Sequence, residues 1–349
     1  MRTYLVAWYV LFIVYGSLSP FTGWRDQGLS FQAVLTAPLW QTYSLFDTVI
    51  NLLAYLPFGL LLGLSFRARF TSVLSVLMTT LGGILLSAAM EYTQMYLPTR
   101  TSSNLDLLNN SISTLAGALL AVSIAPRAWF ALHLTRWRHH MFHASSSRDY
   151  GLALILLWMF AQVNPSLPML GNVFISEMFQ PPFAKVHAEP FSWLESIAVA
   201  LNLLMLGSLL LILLRQHRHA VGTLLIVLCT VALTKFFAAA ILLKSWALLL
   251  WLNSEAMLGI FTGALLLFLA SQLPRARLRW LSAFVSLAYL VFAHFILDNG
   301  SPSAAMRLYH WNEGHLLNYN GLSQTITLVF PFLLLGFLWS VKIPLSDSV

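Results

Sequence analysis

The feature that most constrains this chain is a series of long apolar runs that recurs from its first residues almost to its last. Of its 349 residues, 58% are hydrophobic and 9% are charged, whereas a soluble domain carries about 25% charged residues. Helices that are apolar on every side, with all backbone polar groups bonded internally, are stable in lipid. The pattern therefore predicts an all-α, polytopic integral membrane protein and leaves no stretch for a separate soluble domain.

The apolar runs predict about ten transmembrane helices, because about 20 apolar residues in a helix cross the hydrocarbon core. One run, 150–163, is short for a span, and the others approach or reach the expected length. The predicted spans are 3–19, 48–66, 72–97, 105–125, 150–163, 194–214, 222–243, 254–273, 281–297 and 323–341.

The basic residues predict the orientation of these spans. The net charge is +7, with 19 Lys and Arg against 12 Asp and Glu. If the N-terminus lies inside, 13 of the 19 basic residues fall on inside loops and 5 on outside loops, as the positive-inside rule requires. We therefore interpret the positive charge as a topological signal rather than as a nucleic-acid-binding surface. It predicts a multi-pass protein of the inner membrane with both termini in the cytoplasm.

The order of spans and loops predicts four segments. Residues 1–126 form a four-helix membrane domain, 127–149 a basic cytoplasmic loop, 150–274 a second four-helix membrane unit, and 275–349 a helical hairpin with a polar periplasmic loop. The second unit resembles a degenerate tandem repeat of the first, because the run "GALLAVSIAPRA" from Gly117 is similar to "GALLLFLASQLPRA" from Gly263. In that repeat Lys235 falls near the place of Glu91.

A group of polar residues recurs near the predicted outer ends of spans two, three and four. Each span carries an acidic residue and an amide residue three or four positions later, which places both side chains on one helix face. A single arginine lies in the short loop between spans three and four. The candidate binding residues are Asp47, Asn51, Glu91, Gln94, Arg100, Asp106 and Asn110.

Glu91 dominates this group because it lies inside a predicted span. An ionisable group there costs about 2.5–3.5 kcal/mol on insertion scales, so we expect its carboxyl group to face other helices. Its expected partner is Arg100, alone or together with Asp106. Two interpretations stay open: a binding pocket for a polar head group, or a structural clasp of polar side chains that pins three helices.

Small residues in the same spans predict close contact between the helices. Gly82 and Gly83 in span three, and Ser113 with Gly117 in span four, allow two backbones to approach. Pro57, followed closely by a glycine, predicts an interruption of span two below Asn51, where freed backbone groups would need nearby partners.

Taken together, these motifs resemble the VanZ-like family over about residues 1–126. Two positions depart from the family pattern: Ser113 stands where the family usually has glycine, and Ser102 and Ser103 lie where it often has an acidic residue. The resemblance implies a role in the cell envelope, since the founding member is associated with low-level resistance to teicoplanin; it supplies no reaction. The motif residues are Asp47, Asn51, Pro57, Gly59, Glu91, Gln94, Pro98, Arg100, Asp106, Asn110 and Gly117.

The leading functional hypothesis is a protein that binds, shields or moves a lipid-linked glycan or an amphipathic glycopeptide antibiotic at the outer leaflet. Its partner would be a membrane lipid or a lipid-linked envelope precursor, with Arg100 on a phosphate or carboxylate. One alternative is an enzyme acting on a lipid-linked phosphate, with Glu91 or Asp106 as general base. Another is a structural or assembly subunit of an envelope export complex.

The sequence contains no motif that demands a cofactor: it lacks a phosphate-binding glycine loop, an H-E-x-x-H zinc motif and a nucleophile elbow. The spacing of His310, Glu313 and His315 matches no standard metal-ligand pattern. We therefore expect neither a cofactor nor a metal, and the residues favour a binding protein over an enzyme.

Overall fold

The structure is a computed structural model that describes residues 1–39, 45–124, 136–138, 140–142, 146–164, 169–171, 191–242, 249, 251–292 and 314–341. Most of the predicted basic loop, and the side chains of Asp47, His310, Glu313 and His315, lie outside the described residues.

The described residues include eleven α-helices, one short 3-10 turn and a few further helical residues at 136–138 and 140–141. Every predicted span overlaps one of these helices. In chain order they are α1 (Arg2–Leu18), α2 (Phe31–Thr36), α3 (Leu45–Arg67), α4 (Ser72–Gln94), α5 (Asn104–Ile124), α6 (Ser146–Gln162), α7 (Trp193–Leu213), α8 (Ala220–Leu242), α9 (Ser254–Ala270), α10 (Arg275–Val291) and α11 (Gly314–Ser340).

The all-α prediction is confirmed for the described part of the chain, which has no strand beyond one isolated bridge between Phe142 and Leu214. Six helices are long and apolar enough to cross a membrane, and α1 and α9 are shorter apolar helices. The chain is thus a helical membrane protein, while a total of ten spans and the orientation stay predictions. The six candidate spans are Thr48–Arg67, Ser72–Gln94, Asn104–Ile124, Trp193–Leu213, His217–Ala240 and Gly321–Ser340.

The chain divides into two compact units, Met1–Trp137 and Arg138–Val349. In the first unit, α3, α4 and α5 pack together, and α1 packs against α3 and α4. Apolar side chains such as Leu77 and Leu85 on α4 stay exposed, as expected for helix faces in contact with lipid.

Glycines bring α3 and α5 into backbone contact. A Cβ atom at Gly117 of α5 would lie 2.3 Å from the carbonyl oxygen of Leu56, and one at Gly59 of α3 would lie 2.3 Å from that of Thr114. The predicted close approach is therefore present at Gly117. It also holds at Gly83, where a Cβ would lie 2.4 Å from the Thr114 side chain.

The predicted interruption of span two is wrong, because α3 runs continuously through Pro57. Neighbouring helices and hydroxyl side chains allow a membrane helix to accommodate a proline. On the facing helix, the hydroxyl group of Ser113 donates a hydrogen bond to the Leu52 carbonyl, 2.5 Å away.

In the second unit, α7 is the central helix, and almost every residue from Ala198 to Leu213 is buried. It packs mainly against α9 and α10. A Cβ atom at Gly263 of α9 would lie 3.1 Å from the backbone of Ala200. Gly263 thus lies in close contact with α7, and duplication of the first unit stays a prediction.

Candidate functional site

Three helices of the first unit bring polar side chains together in pairs. Each pair is spaced by four residues, so its members lie one turn apart on one face of their helix. We call the six residues the acidic cluster: Asn51 and Tyr55 on α3, Ser87 and Glu91 on α4, and Asp106 and Asn110 on α5.

Glu91 is buried, with 4% of its surface exposed. Its Oε2 accepts a hydrogen bond from the backbone N–H of Ser103 at 2.7 Å, and its own carbonyl accepts one from the Ser102 hydroxyl at 2.9 Å. Ser103 directly precedes α5, so the carboxyl group lies at the N-terminal end of that helix, where negative charge is stabilised. As expected, Glu91 faces other helices and not lipid.

Asp106 lies in the first turn of α5 and is partly buried. Its Oδ1 accepts a hydrogen bond from the Asn51 side chain at 2.8 Å, which ties α3 to α5. The carboxyl groups of Asp106 and Glu91 lie near enough to interact electrostatically. The cluster therefore contains two acidic groups, one from α4 and one from α5.

The inner part of the cluster contains polar atoms that have no hydrogen-bond partner among the described residues. The Asn110 amide donates to the Ser87 hydroxyl at 2.9 Å, but its Oδ1 is buried and unpaired. The Tyr55 hydroxyl is buried beside the Ser87 hydroxyl and near Glu91, and it makes no contact of hydrogen-bond geometry with the described residues. Asn110 and Tyr55 are 4% and 3% exposed. Unpaired buried polar atoms are costly in a fold.

Arg100 and Gln94 bind the end of α1 and are not part of the acidic cluster. We call these two residues the α1 clasp. The Arg100 guanidinium donates from Nε and Nη2 to the carbonyl of Ser19, at 3.1 and 2.8 Å, and from Nη2 to that of Gly16 at 3.0 Å. The Gln94 amide donates to the carbonyl of Ser17 at 2.9 Å. Both side chains thus bind the C-terminal end of α1.

The expected ion pair between Arg100 and Glu91 is not formed; each group has the partners just described. The last carbonyls of a helix lack intrahelical donors and attract a cation, which explains why the guanidinium binds α1. Partial burial lowers the pKa of Arg100 from its usual value, yet an arginine stays protonated in proteins.

Sequence reasoning missed Tyr55 and Ser87. A signal for both was present, since Tyr55 follows Asn51 by four residues and Ser87 precedes Glu91 by four. Among the residues that the structure describes, no three His, Cys, Asp or Glu side chains are grouped to hold a metal ion.

Comparison with known proteins gives one match: residues 2–125 match the VanZ/LLP1 family. No curated protein and no solved structure matches the chain. The matched range contains the acidic cluster, the α1 clasp and helices α1 to α5. It also contains all the motif residues on which the family resemblance of the sequence depends. The N-terminal third of this membrane protein is therefore a domain of the VanZ/LLP1 family.

Proposed function

We propose that the VanZ-like domain binds the polar head group of an envelope amphiphile at the outer leaflet of the inner membrane. The amphiphile is a lipid-linked glycan or an amphipathic glycopeptide antibiotic, and the protein shields it or moves it. Under glycopeptide stress this activity would confer teicoplanin-type resistance.

The observation that carries the proposal is the acidic cluster itself. Glu91 is buried within a candidate span, in a cluster with Asp106 and with buried polar atoms that have no hydrogen-bond partner among the described residues. Ionisable groups within spans are costly, and they mark binding sites and pathways more often than they serve packing alone. A bound head group would give these atoms partners.

The α1 clasp contributes to the same site in a secondary way. Arg100 is half-exposed, and its Nη1 forms no hydrogen bond with the described residues. That amino group is available to a phosphate or carboxylate of the same ligand, while Nε and Nη2 hold α1. Arg100 would thus both fix the wall of the site and contact the ligand at its edge.

Binding to the full-length protein in lipid nanodiscs tests the proposal. A lipid-linked pyrophosphate glycan and a lipoglycopeptide are titrated separately, and both binding and product release are measured. Glu91→Gln is the test variant, because glutamine still offers an acceptor to the Ser103 N–H. Asp26→Asn is the matched control, since Asp26 is exposed and bonds the N–H of Gly28 within its own loop.

We expect saturable binding without turnover, weakened by Glu91→Gln and unchanged by Asp26→Asn. Release of a dephosphorylated product would replace the proposal with the intramembrane enzyme. If neither amphiphile binds and Glu91→Gln instead dissociates a co-purified envelope complex, the assembly role would replace it. In cells, expression of the wild-type chain should raise teicoplanin tolerance, and the Glu91→Gln chain should not.

A further inference from the structure

We infer that the acidic cluster recognises a primary ammonium group on the head group of its amphiphile. The inference rests on the proposed function and specifies its ligand. It adds a cationic group to the phosphate or carboxylate that Arg100 would contact at the edge of the site.

The first argument is the type of atom that the cluster offers. Glu91 Oε1 accepts no hydrogen bond from the described residues, and Asn110 Oδ1 and the Tyr55 hydroxyl are buried without partners. A carboxylate and an amide oxygen only accept hydrogen bonds, and a phenol can accept one. The amide nitrogens of Asn51 and Asn110 already donate, to Asp106 and to Ser87. The atoms left for a ligand are therefore mainly acceptors.

The second argument is charge. Glu91 is buried and Asp106 is partly buried in the same polar cluster, and two carboxyl groups in a low-dielectric helix bundle are costly to ionise together, because like charges repel there more strongly than in water. Arg100, the basic residue of the adjoining turn, directs Nε and Nη2 of its guanidinium to the carbonyls of Gly16 and Ser19 and not to the two carboxyl groups. A ligand that brings one positive charge would offset this repulsion, whereas a phosphate would add to it.

The third argument selects an ammonium group over other cations. An –NH3⁺ group has three donors, which matches three acceptors from three helices: Glu91, Asn110 and Tyr55. Divalent ions such as Ca²⁺ require about six to eight oxygen ligands, and no group of three acidic, His or Cys side chains occurs among the described residues. A quaternary ammonium has no N–H to donate and is typically bound by several aromatic faces.

The test compares three phospholipids with identical acyl chains, added to the full-length protein in detergent and followed by native mass spectrometry. Phosphatidylethanolamine carries a primary ammonium, phosphatidylcholine a quaternary one, and phosphatidylglycerol neither. We expect phosphatidylethanolamine to bind about tenfold more tightly than the other two, as loss of one charge-assisted hydrogen bond would require. An amine-bearing lipoglycopeptide and its N-acetylated form make the same comparison for an antibiotic ligand.

Two variants connect the preference to the cluster. Glu91→Gln should abolish the preference for the primary amine. Tyr55→Phe should weaken it several-fold, and this variant should fold, because it keeps the buried ring and removes a hydroxyl group that makes no contact of hydrogen-bond geometry with the described residues. Asp26→Asn should leave the preference unchanged.

Equal binding of all three lipids, or tightest binding of phosphatidylglycerol, would overturn the inference while leaving head-group binding intact. A preference for the primary amine that survives both Glu91→Gln and Tyr55→Phe would also overturn it, because the amine would then bind elsewhere. If no amphiphile binds at all, the proposed function itself fails. The same data identify the type of ligand. A preference for the primary amine among the phospholipids alone indicates a membrane lipid, and a preference between the two lipoglycopeptides alone indicates an antibiotic.

Discussion

Arg100 donates two hydrogen bonds to a single backbone oxygen, the carbonyl of Ser19, across 81 positions of sequence. The guanidinium thereby holds the C-terminal end of α1 against the turn between α4 and α5. Hydrogen bonds from an ionised donor are stronger than neutral ones. The main role of Arg100 in the VanZ-like domain is therefore to position α1.

Arg100→Ala should detach the end of α1 and lower the free energy of unfolding by about 1.5–3 kcal/mol, the range for hydrogen bonds to charged groups. Unfolding of the purified protein in mixed micelles with increasing SDS measures the change. Arg25→Ala is the matched control, since the Arg25 side chain is exposed and its backbone N–H, which donates to the Tyr96 carbonyl, is retained. Equal stability of the two variants would show that the clasp contributes nothing measurable.

Gly117→Ala should separate α3 from α5, because the added Cβ would lie 2.3 Å from the Leu56 carbonyl and 2.7 Å from the Leu60 nitrogen. Overpacking of this kind costs about 1–3 kcal/mol, and here the atoms that must move belong to the backbone. Gly82→Ala is the control, since its Cβ would meet only the end of the Leu62 side chain at 3.2 Å. The same SDS titration compares the two, and a stable Gly117→Ala chain would argue against this packing.

The positions of helices and small residues could be predicted from the sequence, because apolar runs and glycine spacings are local patterns. The partners of the charged residues could not. Arg100 binds carbonyls at the end of α1, and Lys235, fully buried on α8, donates to the carbonyl of Asn164 at 2.6 Å. Every residue has a backbone carbonyl, so a sequence does not show which carbonyl will accept a hydrogen bond from a basic side chain. For Arg100 the sequence therefore predicts a nearby acidic side chain, Glu91, as the partner.

Only some members of the acidic cluster could be predicted from the sequence. Its acidic and amide members follow from helical spacing, and Ser113 takes the place of a family glycine without loss of close packing. Tyr55 and Ser87 belong to the cluster through the packing of three helices, which a single sequence does not reveal. Fold class and part of the site were therefore predictable, and the identity of the unpaired atoms was not.

The orientation can be tested with single cysteines, since Cys229 is the sole cysteine and can first be replaced by alanine. Arg25 and Arg69 are both exposed and lie on either side of α3 in the chain. With the N-terminus inside, a membrane-impermeant maleimide should label Arg25→Cys on intact cells and Arg69→Cys only after permeabilisation. The reverse pattern would invert the proposed topology and place the acidic cluster at the inner leaflet.

The second unit has a buried polar link whose removal should be costly. Asn202, 1% exposed on α7, accepts a hydrogen bond from the Trp158 indole at 2.8 Å and donates one to the Leu170 carbonyl at 3.0 Å. Asn202→Leu would leave both partners buried and unpaired, and each unpaired group costs about 1–3 kcal/mol. Thr230→Val is the control, because Thr230 is exposed and bonds only within its own helix.

We expect Asn202→Leu to unfold at clearly lower SDS than Thr230→Val, together with a shift in tryptophan fluorescence as the Trp158 indole loses its acceptor. Leucine branches at the same carbon as asparagine and is the larger residue, so a cavity would not explain the loss. If the leucine variant proves as stable as the wild type, the indole and the carbonyl have found other partners. The link would then be dispensable for holding α6 against α7.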